Sequence, residues 1–380
     1  MNQSNQYSEN TSDHRLTKIT EPVSDILNLT RFTCSQGVLI GHLVVFFGID
    51  NRYLISLTSY CVLMFFVLSG FLISYSLHQK VSNDPSYSFG QFFADRFFRI
   101  FPPYIGALIL VVIVDFVGFS FTGQYFSWPI YGANFIINAL QLQEFPVATY
   151  INEKYMIEFF RFHYLGTNLP LWTISIEWWL YMFYGFGFFY FIKRKKINPL
   201  HVLVLILLMI SPGYYMLYSA RMDRGLTLYW FLGIALTASV PLFRNTEKWF
   251  FYISILVLTA GVFGFRVFGP ASSILIFFFG ILLLLQSGGS TRVSWSKRIK
   301  FIADKAAGYS YSLYLIHYSL IYFITTVFTF EKDIYHFILV FLVVNIVAYF
   351  FAAVFEKNSK KLKSIYENYR SGTNRLQKKV

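Results

Sequence analysis

The side chains able to do chemistry in this chain are conspicuous because they interrupt apolar runs. Arg31 and His42 share the stretch RFTCSQGVLIGHLVVFFGID, residues 31–50, which is long enough to cross a membrane. Their spacing, at about 100° per residue, brings them back to nearly the same helix face, roughly 16 Å apart along the axis. They cannot touch, so the pattern is that of a path running between a cation and an imidazole. An imidazole takes a proton from a hydroxyl and later returns it near neutral pH. Ionisable groups within a membrane span are usually functional.

A second pair, Arg96 and Arg99, lies in DRFFRIFPPY at the inner end of the third apolar span. A spacing of three puts both guanidiniums on one face. Arg31 falls at the same depth, so the three form either a positive anchor or a fork for phosphate, which arginine grips with paired donors. Pro102–Pro103 should end one helix and restart another, fixing where the arginines point. Glu177, in LPLWTISIEWWLYMFY, lies about 9 Å below the outer end of its span. His42 has a similar depth, so the two meet if their helices are neighbours. Trp172, Trp178 and Trp179 suit an interfacial belt, or stacking on a sugar. Asp115 is a carboxylate that lipid would not tolerate, with no role assigned. Tyr311, Tyr314 and His317 read as packing groups with satisfied hydrogen bonds. Ser69–Gly70–Phe71 reads as a small-residue patch for close helix approach.

The elements that must position these groups are helices. The 380 residues are 56% hydrophobic and only 13% charged, with apolar residues in long blocks. This predicts an all-α, polytopic helical membrane bundle and excludes an alternating barrel. Ten spans fall near 31–49, 54–77, 101–121, 171–192, 200–218, 226–243, 249–265, 270–287, 307–329 and 335–355. Residues 1–30 then form a cytoplasmic tail without signal-peptide character, 31–355 the membrane domain, and 356–380 a basic cytoplasmic tail solvated against lipid. With both termini inside, the Lys and Arg outside the inner segments are Arg52, Lys154, Arg161, Arg221, Arg224, Arg266 and Lys332. The net charge of +13 thus reflects loops facing an anionic leaflet rather than nucleic acid. Residues 129–143 are apolar but short, and a full crossing there would put KRKK at 193–196 outside. They read as a re-entrant or interfacial helix on the outer side. Cys34 and Cys61 sit inside spans and indicate no disulfide framework.

Arg31 with His42, FFVLSGFLIS, DRFFRIFPPY, PLWTISIEWWLYMFY and YSYSLYLIHYSLI occur in the order seen in membrane-bound acyltransferase family 3. The resemblance covers roughly residues 25–355. That family includes bacterial polysaccharide and lipopolysaccharide O-acetyltransferases and is a bundle of usually ten core spans. The resemblance implies an enzyme of the bacterial cytoplasmic membrane that moves an acyl group from cytoplasmic acyl-CoA, acetyl-CoA above all, to a carbohydrate or glycolipid hydroxyl. It implies essential roles for His42 and Arg31, with Arg96 and Arg99 as the family's arginine pair. Glu177 falls on the family's acidic position, where Thr173 and Ile174 replace the usual Ser and Leu. No metal is implied. On this reading Arg31, Arg96 and Arg99 hold the CoA phosphates and the pantetheine arm reaches toward His42. His42 is the general base, and Glu177 orients it or binds the acceptor.

The rival reading is a proton-coupled transporter or flippase, with His42, Asp115 and Glu177 as a relay. The absence of repeated halves argues against it. The charge distribution predicts that single cysteines placed at 193–196 stay unlabelled by an impermeant thiol reagent in intact cells, whereas cysteines within 149–161 react. Labelling of the 193–196 segment from outside would overturn the ten-span arrangement.

Overall fold

The computed structural model describes residues 19–123, 132–143, 164–193, 198–217, 225–240, 248–264, 267, 270–287 and 297–377. All described secondary structure is helical. The chain forms α1 (Glu21–Phe46), α2 (Arg52–Asn83), α3 (Phe89–Thr122), a short α4 (Gly132–Ala139) and α5 (Trp172–Gly187). It continues with α6 (Pro199–Leu217), α7 (Leu226–Ser239), α8 (Lys248–Phe263), α9 (Pro270–Ser287), α10 (Lys297–Val327) and α11 (Ile334–Gln377). A 3₁₀ turn, Leu169–Leu171, leads into α5, and a π-helical turn, Phe188–Lys193, ends it.

Each expected span has its helix. α1, α2, α3 and the segment Ile334–Arg370 of α11 are long and apolar enough to cross a bilayer, and α6 to α9 contain shorter apolar runs. Large apolar side chains point outward on many of them, such as Phe116, Leu256 and Phe350. Water would not tolerate such a surface and lipid would, so the molecule is a helical membrane bundle. The short α4 also matches expectation. It is too short to cross, and protein encloses its C-terminal end: Asn138, Gln141 and Gln143 are buried against α3 and α5.

Three expectations change. α1 begins at Glu21, well before Arg31, because Pro22 starts the helix and Val23, Ile26 and Leu27 bury an apolar stripe in the bundle. Pro102–Pro103 do not interrupt α3, which runs through both. The missing N–H groups cost α3 its bonds to the carbonyls of Phe98 and Arg99, but stacked Phe93, Phe97 and Phe101, packed on Trp178, keep the helix in place. Trp178 is therefore an interior packing residue rather than part of an interfacial belt. The tail beyond 355 is largely exposed along its described length, as a solvated flank would be, but it is not free. α11 continues through it and docks on α3, with Tyr366 against Phe98 and Lys363 2.7 Å from Asp95. Asp95 is buried, and it also pairs with Lys80 of α2 and accepts from the Tyr87 hydroxyl at 2.5 Å. Lys193 donates to the carbonyls of Pro85 and Tyr87, so the ends of α2, α3, α5 and α11 are tied together.

α10 is the central post. It packs against α1, α3, α11 and the 3₁₀ turn, and its residues from Ser310 to Ile321 are buried nearly all round, as befits a helix enclosed by others. Polar contacts fix the neighbours' register. Gln36 of α1 and Asn345 of α11 exchange amide hydrogen bonds, at 2.8 and 3.2 Å, with Tyr309 of α10 donating to Asn345. α2 meets α7 through glycines: a Cβ at Gly70 would lie 2.0 Å from the Trp230 carbonyl oxygen, and one at Gly233 2.1 Å from that of Val67. The small-residue patch at Ser69–Phe71 thus does allow close approach. Gly233→Ala is expected to cost about 1–3 kcal/mol by forcing the two backbones apart. A lowered thermal midpoint in detergent would register it, and an unchanged midpoint would contradict the backbone contact.

Candidate active site

Arg31, Arg96, Arg99 and Glu177 all line one cavity of about 310 Å³ between α1, α2, α3, α5 and α10. Arg31 comes from α1, and Arg96 and Arg99 come from one face of α3, as their spacing required. Arg31 and Arg96 are half-buried, and Arg99 is exposed. Among the described residues none of the three is paired with a carboxylate, and the Arg96 Nε is buried without a hydrogen-bond partner. Arg96 instead lies 5.9 Å from the Phe92 ring centroid. Glu356 of α11 stands within electrostatic reach of Arg99 and Arg31, but its carboxylate accepts from the backbone N–H and hydroxyl of Ser312. Cations converging on a partly desolvated cavity are costly unless an anion meets them, so the arrangement suits an anionic ligand. The remaining lining, including Val62, Phe65, Leu72 and Tyr314, is largely apolar.

Glu177 is the one carboxylate among the described lining residues. Its Oε1 accepts hydrogen bonds from the hydroxyls of Ser69 and Tyr181, which lie 2.7 Å from each other, and Trp230 donates to Ser69 at 3.3 Å. Tyr181 lies one turn from Glu177 on the same face, a spacing that could have revealed it. Ser69 carried no such signal, because its partner comes from another helix.

His42 stands elsewhere. Its ring packs against α10, 5.2 Å from His317 and 4.9 Å edge-on to Tyr318. The expected contact with Glu177 is not made, and α10 shows why. Along α10, Ser319 is level with Thr167, Leu315 with Asn168, and Tyr314 with Thr173, through hydrogen bonds of 2.9, 2.6 and 2.6 Å. The segment before α5 is therefore folded into the bundle, with Leu165, Asn168 and Leu171 buried. α5 starts at depth, so Glu177 lies further in than its distance from Leu171 suggests and joins the arginines.

Asp115 gains a role here. It accepts hydrogen bonds from the Thr167 backbone N–H and hydroxyl, at 2.9 and 2.8 Å, and so holds that inward fold. The neighbouring Gly166 has φ +54, and a Cβ there would lie 2.0 Å from the Asp115 Oδ2. Tyr311 and Tyr314 line the cavity rather than merely packing, and the Tyr314 ring is 5.7 Å from His317. The arginine end of the bundle and His42 are thus joined through α10: cavity, Tyr314, His317, His42. Trp179 donates to the Gln141 carbonyl at 2.8 Å.

Among the described residues no cluster of His, Cys, Asp and Glu is arranged to hold a metal ion. Residues 25–357 match the family model Acyl_transf_3, described as an acyltransferase domain. No curated protein and no solved structure matches the chain. The match spans most of the sequence, includes the arginines, His42, Glu177 and His317, and agrees with the membrane bundle, so the chain belongs to membrane-bound acyltransferase family 3 and is an enzyme that transfers acyl groups other than amino-acyl groups.

Proposed function

We propose that this acyltransferase takes its acyl group, most simply acetyl, from cytoplasmic acyl-CoA and transfers it to a hydroxyl of an envelope or exported carbohydrate. The observation that carries the donor assignment is the set of three guanidiniums on one cavity wall, none paired with a carboxylate among the described residues. CoA is an acyl carrier whose opposite end is a cluster of phosphates, and arginine binds phosphate bidentately. The basic segments around 193–196 and beyond 356 would put the arginine end at the cytoplasmic face.

In the proposed reaction His42 withdraws the proton from the acceptor hydroxyl as its oxygen attacks the thioester carbonyl carbon. The tetrahedral centre collapses, the C–S bond breaks, and the departing CoA thiolate recovers the proton from His42. Held apart from His42, Glu177 serves the donor cavity instead. Its carboxylate orders Ser69 and Tyr181 and offsets part of the arginine charge.

Acetyl-CoA binding to the purified protein tests the assignment. Arg99→Lys should weaken binding although the charge remains, because a point charge loses the fork, and the Arg96→Ala, Arg99→Ala double variant should weaken it more. Glu177→Gln deletes a negative charge from the same wall, so affinity should hold or rise. Unchanged affinity in the double arginine variant would return these residues to the role of membrane anchors. In transfer assays His42→Ala should lose roughly 10²-fold or more in rate while still binding acetyl-CoA.

A further inference from the structure

His317 is 1% exposed, yet only half of its imidazole is satisfied. Its Nδ1 lies 2.9 Å from the Tyr314 carbonyl oxygen and 3.1 Å from that of Leu313. A carbonyl can only accept, so Nδ1 carries the proton, and in the neutral ring Nε2 is left as a lone-pair acceptor. That Nε2 is buried with no hydrogen-bond partner among the described residues. A stranded acceptor inside a membrane bundle is costly, and a packing residue would be cheaper as leucine or phenylalanine. The ring beside it belongs to His42, at 5.2 Å between centroids with planes tilted by 36°. Two imidazoles joined end to end by an N–H···N bond stand roughly 5 Å apart, from a donor–acceptor distance near 2.9 Å plus the two ring radii. A small rotation of His42 therefore brings one of its nitrogens into reach of His317 Nε2.

We infer that His317 is a positioning residue for the proposed transfer, acting through His42. Its Nε2 accepts the N–H of one His42 nitrogen, which leaves the other nitrogen unprotonated toward the acceptor hydroxyl. When His42 takes the substrate proton, the same bond stabilises the imidazolium. This is the task that a carboxylate performs for the histidine of a catalytic triad, done here by a neutral ring. The backbone of α10 sets the tautomer, so the orientation of His42 is fixed by a helix that also lines the donor cavity through Tyr314. No net proton is consumed, because the proton on His42 leaves with the CoA thiol. The inference rests on the assignment of His42 as the base.

The experiment uses the full chain in membrane vesicles, with radiolabelled acetyl-CoA as donor. Label incorporated into washed envelope material is followed over a range of acetyl-CoA concentrations. His317→Leu should lower the apparent kcat by roughly 10²-fold while KM for acetyl-CoA changes less than about twofold. His317→Gln puts an amide oxygen near the Nε2 position and should be at least about tenfold faster than His317→Leu. A His317→Leu protein with wild-type kcat, or a His317→Gln protein no faster than His317→Leu, overturns the inference. If His317→Leu no longer binds acetyl-CoA, His317→Gln decides alone. Rates well above those of His42→Ala support the inference, and a protein that binds acetyl-CoA but is as slow as His42→Ala overturns it. His42→Ala in the same assay separates the two assignments. Retained activity there refutes the base itself, whereas loss there with an intact His317→Leu refutes only the positioning role.

Discussion

A guanidinium held among helices has lost part of its water, and this cavity gathers three, two of them half-buried and Arg99 exposed. Among the described residues none of the three meets a carboxylate partner. Such an arrangement suits an anionic ligand, because cations gathered away from water are costly when nothing meets them. Much of the remaining architecture serves that constraint. α3 stays helical through two prolines and carries Arg96 and Arg99 on one face, while α1 brings Arg31 to the same cavity.

The second organising element is α10. It is buried along both its polar and its apolar residues, and its hydrogen bonds set the levels of α1, α3, α5 and α11 relative to one another. Asp115, Thr167 and Ser319 hold the chain ahead of α5 deep in the bundle. The arginine-lined cavity and the His42 ring are therefore two stations on one helix rather than one composite site.

Much of this was legible in the sequence. Span length and charge bias gave the helices and their order, because hydrocarbon thickness and unsatisfied backbone groups leave few alternatives. Spacing placed Arg96 beside Arg99, and shared depth brought Arg31 to them. Depth counted along a single helix failed for Glu177, because it assumes that every span starts at the membrane surface. A segment folded inward by a long-range contact, such as Asp115 with Thr167, breaks that assumption, and no local pattern reports it. The same limit hid His317. Its i, i+3 relation to Tyr314 was visible, but whether a buried ring nitrogen finds a partner depends on residues far away in the chain.

Asp95, itself buried, holds Lys80, Tyr87 and Lys363, and so pins α11 to α2 and α3. Lys363 lies two turns from Glu356 on the same helix face, roughly 10 Å along the axis. α11 is continuous between them, and Glu356 stands within electrostatic reach of Arg31 and Arg99. The C-terminal helix is thus a stiff lever with its fulcrum at Asp95. A displacement of the tail would be carried along it to Glu356, and through that carboxylate would alter the field at Arg31 and Arg99.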